Sequence, residues 1–146
     1  MSPNRYVAFE VVGVPKPQGS ARAFTIGGKA RVTNTTSTAA SEWRDAVATT
    51  AKQHADMIGP LDAACVVTIE FRHPMPKSRT KRVRDRGTFP KVTAPDIDKL
   101  ARSVLDGMQA GGLIVDDSIV FELHCTKHEI ADGWTGARVE VQEIEP

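Results

Sequence analysis

The chain has 146 residues, 40% of them hydrophobic and 25% charged, with a formal net charge of +1. That length suits one domain with a real core and is too short for two comfortable ones. No run approaches the roughly 18 apolar residues of a membrane span, and Met1-Ser2-Pro3-Asn4-Arg5 lacks the apolar centre of a signal peptide, so the expectation is a cytoplasmic protein folding as one domain over residues 1–146.

Tyr6 to Val12 is rich in valine and aromatic residues, and Gly13-Val14-Pro15 stops it; it reads as a strand. Lys16 to Ala23 is a Pro/Gly-rich loop carrying Lys16 and Arg22, and Gly27-Gly28 reads as a turn between two short extended pieces, Ala23–Ile26 and Lys29–Thr33. A helix is predicted from Thr38 to about Met57. Its apolar or small positions, Trp43, Ala46, Val47, Thr50, Ala51 and His54, fall on one face, which makes Trp43 a core residue rather than a base-stacking one. Gly59-Pro60 ends it, and Ala63 to Phe71 is a second strand.

His73 to Ala94 is too polar for core and reads as a long, mobile loop. Asp96 to Gln109 is the clearest helix, with Ile97, Leu100, Ala101, Val104, Leu105 and Met108 on one face and Gly111-Gly112 as its stop. Ile119 to Glu129 alternates, setting Ile119, Phe121, Leu123 and Cys125 on one face. After a turn at Asp132-Gly133, Ala137 to Ile144 alternates again, with Val139 and Val141 inward. The last two strands are expected to pair as an antiparallel hairpin. The order predicts an α+β fold: a mixed, mainly antiparallel sheet with two helices packed on it.

Cys65 and Cys125 sit inside strand-like runs without metal-type spacing and are expected to be buried free thiols. His54, His73, His124 and His128 are scattered and suggest no zinc site. The charge is uneven. Residues 72–91 carry eight Lys/Arg against one acid, and residues 92–146 carry four against eleven. A basic run suits a phosphate backbone, although such a run alone is as readily a solvated loop.

The acids of the second half are grouped. Asp96 and Asp98 lie two apart at a helix start. With Asp96 still extended at the N-cap, both can share a side; the simpler reading of Asp96 is helix capping. The helix from Asp98 to Met108 is about 15 Å long by its rise per residue. A reversal at the double glycine followed by a short extended stretch can therefore return Asp116-Asp117 toward its start. Carboxylates brought so close are costly unless a cation neutralises them, and hard oxygen ligands suit Mg²⁺ or Mn²⁺. Arg102, one turn past Asp98, is either an i,i+4 ion-pair partner or a grip on a scissile phosphate.

The segment PDIDKLARSVLDGMQAGGLIVDDSIV, Pro95 to Val120, resembles the RusA family of Holliday junction resolvases, small endonucleases common in phages and prophages. Gly13-Val14-Pro15-Lys16-Pro17, with Arg22 following, is similar to that family's N-terminal strand and Gly-x-Pro loop. The resemblance implies a mixed α+β fold, a homodimer, and Mg²⁺-dependent, symmetric cleavage of four-way DNA junctions in a bacterial or phage-infected cell. It puts the metal-binding aspartates on Asp96, Asp98 and Asp117, with Asp116 adjacent. Two positions depart from the family pattern. Lys99 stands where the family usually has asparagine, and Arg102 stands where it has a catalytic lysine. Arginine keeps the charge but cannot give up a proton at neutral pH, so a charge-stabilising role survives and a proton-donor role does not.

The expected mechanism is metal-assisted phosphodiester hydrolysis at Asp96, Asp98 and Asp117, with Arg102 stabilising charge on the phosphate. Lys16, Arg22, Arg79, Lys81, Arg82, Arg84, Arg86 and Lys99 are the expected DNA-binding residues. Two alternatives stand beside this reading. One is a related metal nuclease acting on other branched or packaging DNA. The other is a module that binds DNA without cutting it, its acids serving as caps and solubilising charge.

Overall fold

The computed structural model describes residues 4–18, 21–26, 29–34 and 38–144, with 21–26 and 29–34 described only as strands. The expected turn at Gly27-Gly28 lies outside the described residues. In chain order the elements are β1 (Tyr6–Val12), β2 (Ala21–Ile26), β3 (Lys29–Asn34), α1 (Thr38–Ile58), β4 (Cys65–Pro74), α2 (Lys81–Asp85), β5 (Thr88–Pro90), α3 (Ile97–Ala110), a 3-10 turn (Asp117–Ile119), β6 (Val120–Ile130) and β7 (Gly136–Glu143). The class is α+β as predicted: a five-stranded sheet ordered β1-β7-β4-β6-β5 and a separate β2-β3 ribbon. Only β4 and β6 run parallel within the larger sheet.

That order corrects the expected hairpin. β6 and β7 are consecutive but unpaired, because β4 lies between them. The reason is burial. Cys65, Val67, Ile69 and Phe71 of β4 are almost wholly buried, so β4 is the strand that gains most from a partner on each side. β6 is exposed through most of its first half, and Phe121 and Leu123, expected on one face with Ile119 and Cys125, are 61% and 42% exposed.

The alternate residues of β1, β4 and β7 meet Trp43, Val47 and Ala51 of α1 and Leu100, Val104 and Met108 of α3 in one core. Trp43 is a core residue, as its helical spacing predicts. Cys65 is a buried free thiol and Cys125 a half-buried one. α3 approaches α1 through its glycines: a Cβ on Gly111 would collide with the Ala48 carbonyl, and one on Gly107 would lie 2.7 Å from Val47 Cγ1. Gly112, at φ +79°, then turns the chain in a conformation that side-chain-bearing residues rarely adopt. No helix among the described residues is long and apolar enough to cross a membrane.

The basic segment is more ordered than a long mobile loop. Thr80 caps α2 by accepting from the Val83 amide, and β5 pairs with the end of β6. Arg79 anchors it. Its guanidinium donates to both carboxylate oxygens of Glu129, at 2.8 and 2.7 Å, and lies over the Phe89 ring. Glu129 is fully buried, and the paired guanidinium holds its carboxyl below the usual range.

Breaking this pair strands a buried charge, so Arg79→Ala is expected to lower the denaturation midpoint at pH 7. A carboxyl depressed in the folded state stabilises above its unfolded pKa, about 4.3, and loses that contribution as pH falls through the folded value. The gap between denaturant melts of wild type and variant is therefore expected to narrow as the pH falls below about 4. A gap that stays constant down to pH 3 would mean the pair contributes nothing by its charge.

Candidate active site

α3 is amphipathic, and its polar side carries the candidate residues. Asp96 is its N-cap residue, with extended backbone at φ −67° and ψ 139°, and its carbonyl accepts from the Leu100 amide at 3.1 Å. Its carboxylate makes no cap hydrogen bond. The capping explanation of Asp96 therefore fails at its defining contact; its one ion pair among the described residues is with Lys99 Nζ, at 4.0 Å. Asp98 is exposed in the first turn and has no hydrogen bond or ion pair among the described residues.

The reversal after α3 is built by backbone bonds. The Leu113 amide donates to the Met108 carbonyl, and Leu113 and Val115 bracket Leu61 through a short parallel bridge to Ile114. The chain then returns along α3. The Asp117 amide donates to Gln109 Oε1 at 3.0 Å, and the Asp117 carboxylate lies 4.0 Å from Arg102 Nη1. The expected i,i+4 partner of Arg102 was Asp98; the observed one is Asp117. Asp116 is the N-cap of the 3-10 turn, where its carboxylate accepts from the Ser118 amide and hydroxyl, which hold it below the usual carboxylate range.

The arrangement thus joins Arg102 to Asp117 and sets Asp98 one turn from Arg102 on the same helix. Among the described residues, no three His, Cys, Asp or Glu side chains gather as a closed metal-holding group. The donors nevertheless fit Mg²⁺ in kind. They are exposed or half-exposed carboxylates with no competing cap bond at Asp96, Asp98 or Asp117, and Mg²⁺ typically keeps several waters while using one or two protein carboxylates.

Around this helix start lies a set of cations. The Gln18 amide donates to the Lys99 carbonyl, docking the Val14–Pro17 loop on α3. Lys16, Lys91 and Lys99 then share a cavity of about 540 Å³ with Asp96. Lys127 of β6 donates to the Thr93 and Pro95 carbonyls at 2.8 and 2.7 Å, fixing the segment that presents Asp96. Lys127 escaped the sequence reading because it comes from β6, distant in the chain, whereas Lys91, just past β5, was counted only as part of the basic run.

Of the expected DNA-binding residues, Arg82 and Arg86 are exposed on or beside α2 with no side-chain partner among the described residues. Lys81 pairs with Asp85 at 2.6 Å, Arg84 donates to the Pro76 carbonyl, and Arg79 is held by Glu129. Arg22 is described only as a position in β2, opposite Thr33.

The chain matches no curated protein. The family model for endodeoxyribonuclease RusA matches residues 13–142, from the loop that carries Lys16 to the end of β7, and so takes in the whole acidic helix and its return. That match extends over far more than half the chain: this protein belongs to the RusA endodeoxyribonuclease family.

Proposed function

We propose that this endodeoxyribonuclease resolves four-way DNA junctions by Mg²⁺-dependent phosphodiester hydrolysis, each protomer acting as a single domain and two protomers cutting symmetrically in the cytoplasm. The observation that carries the reading is the Asp96 carboxylate. It sits at a helix start without capping it, on the same helix as Asp98 and Arg102, and Arg102 reaches Asp117. A module that only binds DNA would have no use for uncommitted carboxylates facing a polyanion.

Asp96, Asp98 and Asp117 would hold Mg²⁺, or Mn²⁺ in its place, with Asp116 fixing the turn that presents Asp117. When bound, the ion supplies Lewis acidity toward the phosphoryl oxygen and lowers the pKa of a water. Arg102 offers a planar fork of donors to the phosphate and stabilises the charge that develops there, without transferring a proton. Arg82 and Arg86 hold the DNA arms through phosphates, a contact that positions the duplex without reading its sequence. Lys16 and Lys99 flank the same helix start.

Association of two copies is supported by the outer edge of β6. β5 and Lys91 cover that edge only from Lys127 to Ile130, leaving the first half of β6 without a second neighbouring strand among the described residues, beside exposed Phe121 and Leu123. Such an edge is a template for another strand. Antiparallel pairing about a two-fold at Leu123 would set Phe121 opposite the partner's Cys125 and Glu122 opposite the partner's His124, apolar on apolar and acid on base.

Three outcomes test this. With a synthetic four-way junction and Mg²⁺, Asp96→Asn or Asp117→Asn is expected to slow cutting at least 100-fold while binding stays equal or tightens. Cutting at the wild-type rate by either variant would remove that aspartate from the site. Replacing Arg82 and Arg86 with alanine is expected to lower the slope of log affinity against log salt by about two, roughly one per lost phosphate contact; an unchanged slope would leave α2 without a role in DNA binding. Leu123→Glu is expected to give a monomer by light scattering and to lose paired cutting, and a dimer of wild-type affinity would place the interface elsewhere.

A further inference from the structure

His73 is 4% exposed; the Pro15 backbone lies close enough to favour its charged form, but neither ring nitrogen completes a well-formed hydrogen bond among the described residues. A buried imidazole left so is costly unless something completes it. It lies at the end of β4, where it lines the cavity of about 540 Å³ beside Asp96. The cavity has two kinds of wall. Lys16, Lys91 and Lys99 supply three ammonium groups, with Asp96 the one acid among the lining residues. Pro15, Pro74 and Pro95 supply flat aliphatic surface. The volume falls within the range that holds a small organic ligand, and the mix of an apolar wall with a few polar groups is that of a ligand site.

We infer that this cavity takes one unstacked nucleotide of the bound DNA, its phosphate on the lysines and its base against the prolines with a polar edge on His73. The inference rests on the reading of the protein as a junction nuclease and names where a crossover nucleotide goes. Burial, with Lys91, Lys127 and Lys16 nearby, lowers the imidazole pKa to about 4, so the ring is neutral at physiological pH. A neutral imidazole offers one donor and one acceptor, which matches a base edge; a bare phosphate needs only donors. Unstacking is least costly for a base whose pairing is already disturbed, and the crossover is where strands exchange pairing partners.

The cavity abuts Asp96, so a nucleotide seated there would fix its neighbouring phosphate beside the proposed hydrolytic centre. His73 and Lys91 are then positioning residues, and Arg102 remains the group that meets the scissile phosphate.

The test is a titration of the full-length protein with each of the four 2′-deoxynucleoside 5′-monophosphates and with inorganic phosphate, in magnesium buffer, followed through the backbone amide resonances of the cavity-lining Val14, Lys16, Ala94 and Lys99. At least one nucleotide is expected to bind fivefold or more tighter than phosphate. His73→Phe, which keeps the ring and removes its nitrogens, and Lys91→Ala, a change outside the core, are each expected to weaken it at least fivefold. A second arm places 2-aminopurine at the crossover of a junction. Its fluorescence should rise on binding to wild type and change at least threefold less with Lys91→Ala at saturating protein. Nucleotide binding no tighter than phosphate, binding unchanged in Lys91→Ala, or an identical fluorescence rise in wild type and variant would each overturn the inference. None of these readouts needs cleavage. A protein that passes them and cuts no junction would sink the resolvase reading alone, and one that cuts normally but fails them would sink only the nucleotide cavity.

Discussion

α3 lies against α1 at a distance that leaves no room for side chains at Gly107 and Gly111. A helix seated backbone to backbone cannot roll about its axis without a clash, so the directions of Asp98 and Arg102 follow from that contact. The same contact sets where the chain leaves α3. Gly112 turns it back, the Leu61–Ile114 bridge carries it beside the core, and Asp117 arrives against Gln109 and Arg102. A larger residue at position 111 would move the polar face and the returning aspartate together. The site is therefore a product of core packing, although every residue in it is exposed or half-exposed.

Charge is organised in two layers. Beneath, buried carboxylates are matched bidentately by arginines: Glu129 by Arg79 and Glu143 by Arg5. These pairs hold segments in place, and their charges are not available to a ligand. Above, Asp96, Asp98 and Asp117 carry no comparable hydrogen bonds among the described residues, and Arg82 and Arg86 on the basic segment have no side-chain partner there. An exposed ion pair at 4 Å contributes little in water. The loose contact of Arg102 with Asp117 is thus easily exchanged for phosphate or metal, which is what a hydrolytic centre requires.

Much of this was legible in the sequence, for physical reasons. The 3.6-residue spacing from Ile97 to Met108 announces α3 and its buried face, and Pro95 with Asp96 marks its start. β1 and α1 fall within a residue of expectation because glycine and proline bound them. What failed to show depends on long-range pairing. Nothing in β6 or β7 says that β4 will lie between them; the intensity of burial along β4 decides it. The charge of 72–91 hid a cap at Thr80, a strand at Thr88–Pro90 and the burial of Arg79's partner, since composition does not reveal where a single guanidinium finds its acid. His73 looked like any scattered histidine because its neighbours Lys16, Lys91 and Lys99 come from three other segments.

The central claim is that Asp96, Asp98 and Asp117 form one divalent-metal site on α3. Paramagnetic broadening by substoichiometric Mn²⁺ tests it directly, independent of any DNA. The amide resonances of residues 96–99 and 116–118 are expected to broaden first and together, and Mg²⁺ in excess should restore them. Broadening centred elsewhere, or at one of the two segments without the other, would contradict the account.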